Sequence, residues 1–141
     1  MNIWYGSGEN AWLSNLHHRV FSYEHDRADW TYMSVEHAYQ TLKSGEFNED
    51  LYWNDRWKTS GAKVVGRKGT NTKGNWNLHL MRRLVFKSFI DNPMDAHRLC
   101  TTVPHKFTHH QDRGIWREKF PEILMDVRAD LRLIHKSWFA I

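Results

Sequence analysis

The segment "SVEHAYQ" (34–40) places a carboxylate, Glu36, in the first turn of a predicted amphipathic helix. Two interpretations stay open from the residues alone. An acidic side chain at this place offsets the partial positive charge of the helix start by about 0.3–1 kcal/mol, with no ligand involved. Alternatively, the helix start aims the carboxylate into a reaction site, because Glu36 lies about 100° from Val35, at the edge of the apolar stripe.

A polar loop precedes this helix and could bind a ligand. Ser14 and Asn15 supply hydrogen-bonding groups, and Gly6 in "WYGSGEN" permits the backbone to approach a ligand closely. The competing interpretation is that Ser-Asn pairs are common turn formers.

Basic and aromatic residues in the middle of the chain could hold a nucleotide. Arg67 and Lys68, in "AKVVGRKG" (62–69), could bind a phosphate by charge-assisted hydrogen bonds, and a solvated basic loop explains them about as well. Trp76, between a polar loop and a helix start, could stack on a heteroaromatic base. Its other possible role is to attach that helix to the core.

Residues 105–116, "HKFTHHQDRGIW", combine a carboxylate, Asp112, with an aromatic residue, Trp116, in a stretch without periodicity. The three histidines of this stretch lack a matching carboxylate spacing, and adjacent loop histidines do not readily share one ion. We therefore expect no metal site here.

The sequence predicts an α+β fold that positions these residues. The fold is predominantly helical, with about six helices and a small antiparallel hairpin near the N-terminus. The segments at 19–23 and 30–33 are predicted to pair across "EHDRAD". Helix signals predict helices over 34–44, 48–57, 59–66 and 76–90, one opening at Asn92–Pro93, and a last one from Pro121.

The apolar spacing predicts which helical residues are buried. In the helix over 76–90 these are Leu80, Met81, Leu84, Val85, Ser88 and Phe89, and in the last helix they are Ile123, Leu124, Val127, Leu131 and Ile134.

Length and composition predict one domain over residues 1–141, because no repeat or linker divides the chain. The net charge of +4 comes from scattered basic residues, which suits a phosphorylated small molecule better than a nucleic-acid backbone. Eight tryptophans exceed what a small core needs, so some should face a ligand. The single cysteine, Cys100, excludes a disulfide framework and is expected in the core. With no targeting or membrane segment, we expect a cytoplasmic protein.

Taken in order, several motifs resemble those of the NADAR family, also called YbiA-like. The chain has "WYGSG", "WLSNL" and "SVEHAYQTLK" where members carry an aromatic residue with glycine, "LSNF", and "VEHxYQ" followed by lysine. Further similar segments are "AKVVGRK", "WN", "MRRLVFKSF" and "ILMDVRADL", so the resemblance spans almost the whole chain. The family's "DxFWG" is replaced by "DRGIW", and the stretch between Trp76 and Met81 is shorter than in the family.

The resemblance implies an N-glycosidase that cleaves a ribose–nitrogen bond in an ADP-ribose-linked substrate or in a phosphoribosylamino intermediate of the riboflavin pathway. It implies Glu36 as the catalytic carboxylate, which stabilises positive charge on the ribose or activates water, and Asp112 as a second acidic residue. The substrate-binding residues would be Gly6, Ser14, Asn15, Arg67, Lys68, Trp76 and Trp116. No metal or other cofactor is required.

Two other functions stay open. The departures near Trp76 and Asp112 are compatible with a module that binds ADP-ribose or a nucleotide derivative without cleaving it. The basic pI of about 9.3 and the aromatic residues are compatible with a nucleic-acid binder, whose affinity would fall steeply with salt. Nucleic acid could also be the carrier of an ADP-ribosylated base. The oligomeric state is not predicted.

Overall fold

The computed structural model describes residues 1–4, 6, 8–55 and 75–139. Within these ranges the chain forms one two-stranded antiparallel sheet and five α-helices, with 3-10 helices at Ala11–Leu13 and Lys136–Phe139. The predicted α+β class, mainly helical with a hairpin near the N-terminus, is confirmed. The helix predicted over 59–66 lies outside the described residues.

The hairpin joins β1 (Phe21–His25) to β2 (Ala28–Tyr32), with Phe21 opposite Tyr32 and His25 opposite Ala28. The connection is a two-residue turn of Asp26 and Arg27, whose φ angles of 50° and 66° match the twist of paired strands. The predicted six-residue connection was therefore too long. Three of its polar residues, Glu24, His25 and Asp29, lie within the strands at exposed or partly exposed positions, which an antiparallel sheet with one solvated face accommodates.

The first helix, α1 (Val35–Leu42), begins after Ser34, whose Oγ accepts the His37 N–H at 3.0 Å. This N-cap and the stop near Gly45, with φ of 93°, agree with the predicted bounds. The expected solvent-facing side is absent, because all eight residues of α1 are buried. The helix packs against β2, α2 (Glu49–Asp55) and α3 (Trp76–Ile90), which makes it the central element.

His37 connects three elements through main-chain hydrogen bonds. The Met33 N–H donates to Nδ1 at 3.1 Å, so the proton must sit on Nε2, which donates to the Tyr52 carbonyl at 2.8 Å. Both contacts select one neutral tautomer. The fully buried ring also stacks on Tyr52, with centroids 5.2 Å apart. His37 is therefore a structural residue that joins the hairpin, α1 and α2.

The remaining helices close the core around α1. Helix α3 packs on α4 (Pro93–Cys100) and on α5 (Trp116–Ile134), and the six α3 residues predicted to be buried are buried. Cys100 is fully buried, as expected. In α5 four of the five predicted positions are buried, whereas Ile134 is 56% exposed because it ends the helix.

Helix α5 begins at Trp116, five residues before the predicted start at Pro121. Proline lacks the N–H that would bond the carbonyl four residues earlier. For this reason the sequence pattern predicted that the helix starts at Pro121. Here Pro121 lies inside the helix, and the preceding turn is held by packing of Phe120 and Trp116 against the core. Tertiary contacts thus outweigh the loss of one hydrogen bond, and Trp116 belongs to a helix rather than a loop.

Among the described helices, none combines the length and apolar character needed to cross a bilayer.

Replacing His37 by leucine should lower the free energy of unfolding by about 2–4 kcal/mol, because it removes the two hydrogen bonds that the buried imidazole makes to the main chain of Met33 and Tyr52. Urea denaturation followed by circular dichroism measures this. His79→Leu, at an exposed position of α3, is the matched control and should change stability by less than about 0.5 kcal/mol. Equal losses in the two variants would contradict the structural role of His37.

Candidate active site

A cleft of about 400 Å³ runs along α1. Helix α1 contributes Glu36, the loop before the hairpin contributes Ser14 and Asn15, and the 109–116 segment contributes Asp112. The tertiary structure thus brings together residues from distant parts of the chain, including six of the nine predicted site residues: Gly6, Ser14, Asn15, Glu36, Asp112 and Trp116.

Glu36 lies in this cleft with its side chain almost completely buried, at 5% exposure. One carboxylate oxygen accepts a hydrogen bond from the Asn15 amide and the other accepts one from the Gln40 amide. The Glu36 N–H also donates to the Asn15 carbonyl at 2.8 Å. Because a carboxylate accepts at both oxygens, the two amides suit the ionised side chain and fix its direction.

Gln40 has its amide nitrogen committed to Glu36. A carboxylate only accepts hydrogen bonds, so this contact defines which end of the Gln40 amide faces Glu36. The other end, Oε1, is buried and has no hydrogen-bond donor among the described residues. The described contacts of the Gln40 amide therefore serve to position Glu36.

Two further residues, Tyr39 in α1 and Lys43 directly after it, interact electrostatically with Glu36. Burial lowers the pKa of the Lys43 ammonium, and the charge of Glu36 opposes this effect. Burial, assisted by the charge of Glu36, raises the pKa of the Tyr39 hydroxyl to about 12, so Tyr39 is a neutral donor at physiological pH. Both residues line the cleft, so α1 and its C-cap residue give the cleft a carboxylate, an ammonium group and a phenol.

Asp112 is held by its own turn. Its N–H donates to the His109 carbonyl at 3.2 Å, one carboxylate oxygen accepts the Arg113 N–H at 2.8 Å, and the other lies 3.3 Å from Nδ1 of His109. The side chain is 27% exposed and His109 also lines the cleft. Asp112 is therefore a fixed carboxylate that a ligand can reach.

The N-terminal residues attach to the segment that carries Asp112. The Ile3 N–H donates to the Thr108 carbonyl at 2.8 Å, the Thr108 N–H donates to the Met1 carbonyl at 2.9 Å, and the Asn2 amide donates to Gln111 at 2.8 Å. These bonds bring Trp4 and Gly6 to the cleft beside Asp112. Where the two segments meet, Asn2 and Thr108 form an isolated β-bridge.

The loop that carries Ser14 and Asn15 is anchored by a buried arginine. Nη1 of Arg19 donates to the Trp12 carbonyl at 2.8 Å and lies 3.3 Å from Asp95, and its guanidinium sits 4.1 Å from the Phe89 ring centre. Ser14 is itself buried, and its Oγ accepts the Leu16 N–H at 3.1 Å. Ser14 thus shapes the turn while it borders the cleft, so both predicted interpretations apply to it.

Of the other three predicted site residues, only Trp76 lies in the described part of the chain, and it does not line the cleft. Trp76 is half-buried at the start of α3 and packs against the hydrophobic core, which is the second role that the sequence left open. Arg67 and Lys68 lie outside the described residues. Across the described ranges, no group of three or more His, Cys, Asp or Glu side chains is arranged to hold a metal ion.

Several cleft residues were not predicted from the sequence: Trp4, Tyr39, Gln40, Lys43, His109 and Gln111. Helical spacing contains a signal for three of them, because Tyr39, Gln40 and Lys43 follow Glu36 at i+3, i+4 and i+7, which lie on the same helix face. Trp4 and His109 had no such signal, since their neighbourhood depends on pairing between segments more than 100 residues apart.

Comparison with solved structures identifies the fold. The solution NMR structure of the Escherichia coli protein YbiA superposes with a TM-score of 0.72 at 20% sequence identity, covering 95% of this chain and 85% of that one. The chain has the fold of YbiA. No family model matches the sequence, and no curated protein matches it significantly. The resemblance to the YbiA-like family is thus confirmed at the level of the fold.

Replacing Glu36 by glutamine should lower the pKa of Lys43 further, because it removes the negative charge that favours the ammonium form. The Nζ chemical shift of Lys43, followed against pH in ¹⁵N-labelled protein, reports this directly. Glu118→Gln removes an exposed carboxylate from the first turn of α5 and should leave the Lys43 titration unchanged. An unchanged titration in Glu36→Gln would show that the two groups are not coupled.

Proposed function

We propose that this chain is an N-glycosidase that hydrolyses the bond between a ribose carbon and a nitrogenous group. The substrate is ADP-ribose-linked or a phosphoribosylamino intermediate, as the motif resemblance implies. The observation that carries the proposal is the buried Glu36 carboxylate, held in the cleft by Asn15 and Gln40 with Asp112 in the same cleft. The YbiA fold is compatible with this proposal and does not by itself specify an activity.

The chemistry requires a negative group near the reacting sugar carbon. As the C1′–N bond breaks, its electron pair leaves with the nitrogen and the ribose acquires oxocarbenium character. A carboxylate that is already oriented stabilises this positive charge without reorganisation, and more strongly where water is excluded. Glu36 meets both conditions, since it is 5% exposed and both of its oxygens are held by amides.

Water completes the reaction. Its oxygen bonds to C1′, one of its protons ends on the departing nitrogen, and the other stays on the new sugar hydroxyl. Asp112, partly exposed in the same cleft, has three roles open to it: orienting this water, holding ribose hydroxyls, or protonating the leaving nitrogen.

The charge of the cleft also suits this substrate class. Lys43 supplies a positive charge beside Glu36 that can meet an anionic part of the substrate, and the neutral Tyr39 hydroxyl can donate to a sugar or phosphate oxygen. The proposed partner is accordingly a small-molecule nucleotide or an ADP-ribosylated base, free or carried on nucleic acid.

Glu36→Gln should lower kcat/KM by about 100-fold or more, because the amide carries no charge to stabilise the cation. Chromatographic detection of the released base, over a panel that includes ADP-ribosylated guanine and the riboflavin precursor, measures this. Glu118→Gln, which also removes a first-turn carboxylate, controls for the helix-dipole contribution and should keep the wild-type rate.

Two outcomes would overturn the proposal. A folded Glu36→Gln variant with the full hydrolytic rate would remove Glu36 from catalysis. Tight calorimetric binding of ADP-ribose by the wild type, with no product after prolonged incubation of any substrate in the panel, would favour the non-catalytic binding module.

A further inference from the structure

Trp4 presents a large aromatic surface to the cleft. Its side chain is 46% exposed and lines the same cavity as Glu36. Single exposed tryptophans are ordinary on protein surfaces, so exposure alone indicates nothing. Trp53 illustrates this, because it is 50% exposed on α2 and does not line the cleft. Trp4 differs because it lines the cavity that also contains the Glu36 and Asp112 carboxylates.

The direction of Trp4 follows from the extended segment to which it belongs. Ile3 is fully buried and its N–H is bonded to the Thr108 carbonyl at 2.8 Å, which fixes the register of the segment. Adjacent side chains of an extended chain point to opposite sides. Trp4 is therefore turned away from the core that receives Ile3, and this orientation places it at the cleft.

Because Gly6 has no side chain, it leaves the space that the Trp4 indole occupies. A Cβ atom at position 6 would lie 3.2 Å from both Cε2 and Cζ2 of Trp4, closer than ordinary carbon contacts. Gly6 does not have a positive φ, so its backbone conformation does not require glycine. Position 6 requires glycine for space, because the Trp4 ring lies close to the Gly6 backbone.

We infer that the Trp4 indole is the surface on which the base of the leaving group stacks. The inference rests on the proposed function and adds the residue that contacts the base. An aromatic ring can stack on any nucleobase, since every base has a π-face. Trp4 would then take the stacking role that the sequence pattern had suggested for Trp76, which packs on the core.

Calorimetry with two probes tests the inference. Binding is measured in the Glu36→Gln background, which slows turnover. Of the two probes, guanosine 5′-monophosphate carries a base and ribose 5-phosphate does not. Trp4→Ala should weaken binding of the nucleotide by about 5- to 100-fold and leave ribose 5-phosphate within about twofold. Trp4→Phe should retain most of the affinity, and Trp53→Ala, the matched exposed tryptophan, should behave as its parent.

A spectroscopic measurement reports stacking itself. In protein labelled with 5-fluorotryptophan, the ¹⁹F resonance missing from Trp4→Phe belongs to Trp4. That resonance should shift on addition of guanosine 5′-monophosphate and not of ribose 5-phosphate, while the Trp53 resonance stays in place. Gly6→Val, which crowds the indole without altering it, should reduce the shift.

The outcomes separate this inference from the proposed function. Three results would overturn the role of Trp4. They are an equal loss of affinity for both probes in Trp4→Ala, a loss of nucleotide affinity in Trp53→Ala, and no binding of the nucleotide to the parent protein. A wild-type protein that binds the nucleotide through Trp4 and releases no base from any substrate would overturn the N-glycosidase proposal alone. Hydrolysis of base-bearing substrates with unchanged KM in Trp4→Ala would overturn the stacking role alone.

Discussion

The reciprocal contact between Asn15 and Glu36 is the constraint on which the candidate site depends. The Asn15 carbonyl accepts the Glu36 N–H at 2.8 Å, and the Asn15 amide donates back to the Glu36 carboxylate. One residue thus satisfies a main-chain donor of the first helical turn and orients the side chain there. Gln40 holds the other carboxylate oxygen from within the same helix.

A buried carboxylate imposes demands on everything around it. Burying a charge is unfavourable unless hydrogen bonds compensate, so the start of α1 must reach the interior with its polar groups already paired. Ser34 caps His37, and His37 in turn bonds the Met33 N–H and the Tyr52 carbonyl. The hairpin, α2 and α3 then enclose a helix whose eight residues are all buried. This enclosure fixes the position of the helix that carries Glu36 into the cleft.

The aromatic residues divide between this enclosure and the cleft. Trp12 is buried under the Arg98 guanidinium, 4.2 Å from its ring centre, and Trp76 packs on the core. Trp116 meets Tyr39 edge-to-face at 5.5 Å inside the cleft, and Trp4 stands at it with nearly half of its surface exposed. Two of the eight tryptophans, Trp4 and Trp116, thus line the cleft, although they lie more than 100 residues apart in the sequence.

The sequence pattern alone predicted the features that depend on residues close together in the sequence. The N-cap at Ser34, the extent of α3 and its buried face follow from capping and helical periodicity, and motif order alone singled out Glu36, Asn15 and Asp112 as candidates. Tertiary structure decided the rest. It buried the whole of α1, extended α5 back to Trp116 across Pro121, left Trp76 on the core, and brought Trp4 to the cleft. These outcomes depend on which distant segments pair, and the free energy of such packing exceeds the local preferences that a sequence pattern records.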